Sequence, residues 1–185
     1  FKDNRVHKNK LRKRDLLVID TGDKHDGNGL TDATSPNGLE ANDIFNSLDY
    51  DLLTLGNHEL YSGERAVFEY YSTAMSSKFK ENYVSSNVNF INEQGNEVPF
   101  GNKYRYFTTH YTRHRILALS FMFNFRISNP RAKITPLAEE IKKQWFIDLM
   151  EEYPPDKVDL LLVFGHMAAT DHVEHEINAL HRTLR

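Results

Sequence analysis

Apolar positions in this chain fall in short runs, each broken by a polar or glycine-rich corner. Residues 15–20 (DLLVID) are an apolar, β-branched run stopping at Thr21-Gly22, the pattern of a buried strand. Residues 51–55 (DLLTL) repeat the pattern before Gly56, and residues 158–165 (VDLLLVFG) repeat it up to Gly165. Between the first two runs, NGLEANDIFNSL (37–48) sets Leu39, Ile44, Phe45 and Leu48 at helical spacing. SGERAVFEYYSTAM (62–75) predicts a second helix with Ser62 as its N-cap. YVSSNVNF (83–90) predicts a third strand, and the Gly, Asn and Pro content between Ile91 and Asn102 marks a loop or hairpin tip.

YRYFTTHY (104–111) and HRILALSFMF (114–123) alternate, predicting an antiparallel pair. Thr135-Pro136 opens a helix expected to run through Met150, because a proline's missing N–H costs nothing in a first turn. Pro154 and Pro155 close it, and the charged tail 171–185 reads as helical. Strands alternating with helices early and antiparallel strands later predict one layered α/β domain with a mixed sheet.

Composition narrows the picture only where it excludes something. A length of 185 residues with 39% hydrophobic content is enough for one packed core. The net charge of −3 argues against nucleic acid as a partner. The basic opening FKDNRVHKNKLRKR (1–14) has no aromatics interleaved with its charges, so it reads as a solvated helix face. Without cysteine there are neither disulfides nor thiolate metal sites. No apolar run approaches the roughly 18 residues of a membrane span, and no signal-peptide pattern opens the chain. It begins on Phe1 instead of Met, so a segment upstream is expected in the gene product.

Candidate chemistry sits where three of the strand runs end: Gly22-Asp23, Gly56-Asn57-His58-Glu59 and Gly165-His166. Open α/β sheets collect their ligands at the carboxyl ends of strands, so the three corners can converge. Carboxylate, amide oxygen and imidazole together suit cations such as Mn, Fe or Zn. Each corner has an ordinary reading by itself, as a turn or a capped histidine. Their conjunction is what points to a metal-dependent site.

DTGDKHDGNGL (20–30), LGNHELY (55–61) and VFGHM (163–167) resemble the calcineurin-like metallophosphoesterases, nearest the 5′-nucleotidase-like branch. YVSSNV, ILALSFMF and ITPLAEEIKKQWF are similar to connecting segments of that branch, so the resemblance runs from Asp15 to the C-terminus. It implies a metallophosphoesterase fold, a layered β-sandwich of mixed sheets flanked by helices and incomplete at both ends, with residues 1–185 forming part of one catalytic domain. It implies metal-dependent hydrolysis of phosphate esters by a 5′-nucleotidase-like phosphomonoesterase, with a hydroxide bridging two cations as the nucleophile. Asp23 would bridge the metals, and Asn57 and His166 would bind the second one. His58 would contact the phosphate directly and act on the leaving group. The same resemblance implies a small phosphorylated substrate, such as a nucleotide, and a secreted or acidic-organelle location.

The chain departs from the family pattern in two ways. The family's D-x-H motif precedes the bridging Asp, but the literal match Asp23-Lys24-His25 coincides with the second motif; the closing G-H-x-H is also missing. His172 and His175, at i and i+3 of the tail, are its nearest stand-ins. The expectation is two divalent ions in the complete enzyme and one or none on this chain. Many 5′-nucleotidases continue G-N-H-E with Phe-Asp, whose Asp orients the histidine; here Leu60-Tyr61 follow. That leaves Glu59, Asp26 or a group outside the chain to orient His58. Asp26 also occupies the position of the purple acid phosphatase tyrosine, so no tyrosinate iron site is expected.

His25 and Asp26 read either as partners of the ligands or as a solvated turn, and Asn87 as a turn residue. His110 and His114 read as surface, Trp145 and Phe146 as core. The substrate-stacking aromatics of the family lie in a separate C-terminal domain that this chain lacks. The reading from another class is a non-catalytic domain of the same fold that binds a phosphorylated ligand or a protein partner.

Overall fold

Short strands in three small sheets carry the architecture. The computed structural model describes residues 12–27, 29–167, 178, 180, 182 and 183. Most of the predicted tail helix, with His172 and His175, and most of the basic opening lie outside the described residues; the described tail residues 178, 180, 182 and 183 are helical.

β1 (Ile19–Asp20) and β2 (Leu52–Leu53) pair in parallel, Ile19 opposite Leu52 and Asp20 opposite Leu53. Of the run predicted over 15–20, two residues join a ladder. Side chains hold the rest: the Asp51 carboxylate accepts the Val18 N–H at 2.7 Å, and Asp15 accepts the N–H groups of Tyr111 and Thr112, each at 2.8 Å. Backbone groups satisfied by carboxylates need no neighbouring strand.

Helices α1 (Gly29–Asp32) and α2 (Leu39–Ser47) cross between β1 and β2. A single 3₁₀ turn (His58–Leu60) follows β2, then α3 (Gly63–Glu69), which runs on into a π turn (Tyr70–Ala74). The Ser62 hydroxyl accepts the Arg65 N–H at 3.2 Å, so the predicted cap is in place.

The second sheet is antiparallel, in the order β4 (Glu97–Pro99), β3 (Val88–Ile91), β7 (Ala132–Ile134). The third places β6 (Arg115–Met122) between β5 (Arg105–Thr108), antiparallel to it, and β8 (Leu160–His166), parallel to it. The predicted antiparallel pair and the mixed sheet are both present. The register sets Met122 opposite His166, which fixes where the imidazole leaves the sheet.

The strand predicted over 83–90 starts at Val88. Before it, Tyr83 and Val84 make isolated bridges to Leu53 and Asn102. Asn87 is no turn residue: buried, it donates to the carbonyls of Met122 (2.8 Å) and Thr135 (2.9 Å) and accepts the Met122 N–H (2.8 Å), pinning β3 to β6.

The single helix predicted over 135–150 is broken into α4 (Leu137–Glu140) and α5 (Gln144–Glu152). The buried Glu140 carboxylate gathers Lys103 at 3.0 Å, Lys143 at 2.7 Å and the Trp145 indole N–H at 2.8 Å. In a straight helix a residue five places on points away from Glu140, so this cluster needs the break.

β6 is buried on both faces. Leu117, Leu119 and Phe121 face a cluster with Leu137, Phe146 and Leu149, against which Trp145 packs as expected. Met122 joins the other main cluster, with Leu53, Leu55, Leu60, Phe79, Tyr83, Phe90 and Phe100. β8, predicted to be buried, is half open: Leu160 is 48% and Val163 38% exposed. Among the described residues it pairs on one side only, with β6, and an apolar run carries no record of whether both faces are covered. His110 and His114 lie at the surface. No described helix is long and apolar enough to cross a membrane.

Candidate active site

Two glycines bring the ends of β1 and β2 into backbone contact. A Cβ on Gly22 (φ +86°) would lie 2.0 Å from the Gly56 nitrogen, and one on Gly56 would lie 2.1 Å from the Asp23 Oδ1. No side chain fits at either position without prising the two turns apart. Asp23 itself sits at φ +61°, a left-handed conformation that costs a non-glycine residue about 1–3 kcal/mol.

Glu59 supplies the restraint. It is fully buried, and its Oε2 accepts the N–H of Gly56 at 2.6 Å and of Asp23 at 2.9 Å. Its Oε1 accepts the N–H of Lys24 at 2.9 Å and of His25 at 3.2 Å. Burial, then the nearby Glu69 charge, push the Glu59 carboxyl above its ordinary value, against the pull of His25, Lys24 and the Gly56 N–H. Four donors on two oxygens leave no place for a proton, so Glu59 is the anion at neutral pH. The carboxylate is thereby spent on the loop and does not face His58. Sequence reasoning missed this role; the signal available was an acidic residue three places after the glycine of G-N-H-E.

Beneath the loop lies a buried ion pair. Lys24 Nζ is 2.7 Å from Glu69 Oε2, 2.6 Å from Thr73 Oγ1 and 3.2 Å from Asn42 Oδ1, and 4.3 Å from the centre of the Phe45 ring. Glu69 also accepts the Tyr83 hydroxyl at 2.8 Å and faces His25 Nε2 at 3.6 Å. Burial raises the Glu69 carboxyl, but the Lys24 charge, the nearby His25 ring and hydrogen bonds from Lys24 and Tyr83 outweigh it and hold the group at about 2. His25 is therefore part of a buried network; the solvated-turn reading fails for it.

On the open side the structure brings together Asp23, His58 and His166, with Asn57 on the adjoining turn. Asp23 Oδ1 accepts the His58 backbone N–H at 3.1 Å, while its Oδ2 lies 3.1 Å from His166 Nε2 and 3.7 Å from His58 Nε2. His166 Nδ1 is 2.9 Å from the Thr21 carbonyl. A carbonyl can only accept, so Nδ1 carries a proton, and Nε2, facing Asp23, is the ring atom placed to meet a ligand. The Asn57 Nδ2 donates to the Tyr61 hydroxyl, which leaves the amide oxygen as that side chain's remaining polar atom. The Tyr61 ring packs on His58, centroids 4.6 Å apart. His58 Nδ1 lies 3.7 Å from Asp26 Oδ2, which in turn accepts from Arg65 at 3.2 Å. The Arg65 hydrogen bond, only partly offset by desolvation, holds the Asp26 carboxyl below the usual carboxylate range, helped by the charges of Arg65 and His58.

With this geometry in view, the comparisons become informative. The family model for calcineurin-like phosphoesterases matches residues 1–183. The chain belongs to the calcineurin-like phosphoesterase family. An uncharacterised protein of Saccharomyces cerevisiae is 56% identical over 173 residues, covering 93% of this chain and 29% of the yeast protein. A protein of Arthroderma benhamiae named as a secreted protein is 45% identical over 84% of this chain and 23% of its own length. Among solved structures, the 5′-nucleotidase of Candida albicans superposes with a TM-score of 0.89 at 42% identity, over 98% of this chain and 33% of that one. The NAD nucleotidase of Haemophilus influenzae shares the fold, with a TM-score of 0.66 at 15% identity. The chain thus spans a third or less of each of these relatives.

Calcineurin-like phosphoesterases generally use divalent metals, and the donors here can be tested for that. An imidazole nitrogen and a carboxylate oxygen 3.1 Å apart are chemically suited to share a small divalent cation. Neighbouring ligands held about 2.0–2.2 Å from one such ion lie roughly 3 Å from each other. Among the described residues no group of three or more His, Asp or Glu side chains converges as for a metal ion.

Proposed function

We propose that the protein containing this chain hydrolyses phosphate monoesters of the nucleotide type, and that Asp23, Asn57 and His166 hold metal while His58 acts on the phosphate. The observation that carries this reading is the meeting of Asp23, His58 and His166 at three separate strand ends, with His166 held by Thr21 in the tautomer a ligand requires. The 42% identity to a protein named as a 5′-nucleotidase supports the substrate class. The name of the Arthroderma relative supports secretion of the whole protein.

Divalent cations bound at such a site neutralise phosphoryl oxygens and acidify a water for attack. The chain's own groups do the rest. Asp23 and His166 fix the donor pair, and Asn57 adds an oxygen from the turn that Gly56 makes possible. His58 presents Nε2 on the same side as Asp23 Oδ2, where an imidazolium can donate to a phosphoryl or leaving oxygen. The turns are fixed beforehand by Glu59, so little reorganisation is needed when charge develops.

The test uses the complete protein, loaded with Mn²⁺ or Zn²⁺ and offered nucleoside 5′-monophosphates. Phosphate release abolished by a chelator, and lowered about 10²–10⁴-fold by His58→Ala with metal retained, is the expected result. Turnover indifferent to His58→Ala, or no phosphate release from any ester, contradicts the proposal.

A further inference from the structure

Tyr61 is held at the site by contacts that metal binding alone does not explain. It closes the 3₁₀ turn of His58, between the buried Leu60 and the capping Ser62. Its ring packs on His58, centroids 4.6 Å apart, and Phe125 meets it edge-on at 6.5 Å. Phe125 packs in turn against the main core cluster. Asn129, buried in the same loop after β6, donates to the Leu60 carbonyl and so ties that loop to the turn. The ring is fixed on both sides, yet the residue remains 45% exposed.

The hydroxyl is engaged on its accepting side only. It takes the hydrogen of Asn57 Nδ2, and a phenol oxygen so engaged still has its own proton to donate. Among the described residues nothing accepts that proton. Arg65, the cation beside this corner, is tied to Asp26 at 3.2 Å, so a neutral donor next to His58 has no competitor there.

We propose that the Tyr61 hydroxyl is a direct phosphate contact: with its accepting side filled by the Asn57 amide, it donates to a phosphoryl oxygen beside the His58 ring. The Asn57 amide thereby has two effects, leaving its oxygen to a cation and setting the polarity of the neighbouring hydroxyl. Because the ring is held before substrate arrives, the donor reorganises little as charge develops. The effect on turnover rests on the phosphoesterase reading, whereas the binding of phosphate tests the contact without it.

The experiment uses the complete protein loaded with Mn²⁺ and inorganic phosphate as the probe. Tyr61→Phe keeps the ring against His58 and removes only the hydroxyl. Its calorimetric affinity for phosphate should fall roughly 10- to 100-fold, the range for a hydrogen bond to a charged group. Its kcat/KM for a nucleoside 5′-monophosphate should fall by a comparable factor, with metal content and melting temperature unchanged. Tyr61→Leu, which also removes the stacking partner of His58, should lower kcat further. Unchanged phosphate affinity in Tyr61→Phe overturns the proposal. A loss of affinity that follows a loss of metal also overturns it, because Tyr61 would then act only by bracing Asn57. If the wild type binds phosphate but hydrolyses no ester, the phosphoesterase reading fails, and the affinity of Tyr61→Phe still decides the contact. A wild type that binds no phosphate contradicts both.

Discussion

Glu59 and His58 are chain neighbours with opposite duties, and the difference lies in where each side chain finds its partners. Glu59 turns inward and collects the N–H groups of Gly56, Asp23, Lys24 and His25; His58 turns outward to Asp23 and Asp26. Glu59→Gln replaces one accepting oxygen with an NH₂ that meets two of those donors head-on. The expected outcome is a loss of about 3–5 kcal/mol in stability, the range for breaking a buried charged contact. Metal retention should fall with it, because Asp23 loses its restraint. Calorimetry and metal analysis of the same samples check this. Undiminished metal retention in a destabilised Glu59→Gln protein would show that the loop does not depend on the carboxylate. The identities of Asp23, Asn57, His58 and His166 as candidates were legible in the sequence, because each follows a glycine at a strand end. The inward turn of Glu59 was not, and the choice between Glu59 and Asp26 as the neighbour of His58 stayed open, because one-dimensional spacing does not say which way a polar side chain points.

At the scale of elements, α3 delivers Glu69 beneath the site, and its charge makes the support pH-dependent. The Glu69 carboxyl is held at about 2 in the folded protein against an ordinary 4.5. As pH falls, the unfolded chain takes up this proton first. The stabilisation is therefore complete above pH 4.5 and is lost as pH drops toward 2. Between those limits the wild type should lose more stability than Glu69→Gln, whose side chain cannot titrate. Hydrogen-exchange protection along residues 52–90, followed against pH in both proteins, measures the difference. Identical slopes would remove Glu69 as the source.

Local chemistry made some elements legible: the Ser62 cap and the alternating β5–β6 pair needed nothing beyond nearby residues. Elsewhere distant partners decided. Carboxylates of Asp51 and Asp15 satisfied the segment before β1, the three donors of Glu140 broke the helix after Pro136, and β8 kept one side open. None of these partners lies within the window from which an element is read.

Across the whole molecule, the site is assembled from segments more than a hundred residues apart, with His166 on β8 hydrogen-bonded to Thr21 just past β1. Folding of the parallel β1–β2 pair beside the mixed sheet is what brings three weak corner signals together. The family and its α/β layering could be recognised because the glycine corners are local signatures. The chain spans 33% of the Candida 5′-nucleotidase and 29% of the yeast relative.

The central claim is that Asp23 is the carboxylate around which metal binding is organised. The measurement that tests it most directly is metal content by plasma mass spectrometry on the complete protein, after loading with Mn²⁺ or Zn²⁺ and desalting. The account predicts that the wild type retains divalent metal, that Asp26→Asn retains as much, and that Asp23→Asn loses most of it. Wild-type metal content in a folded Asp23→Asn protein would contradict the account.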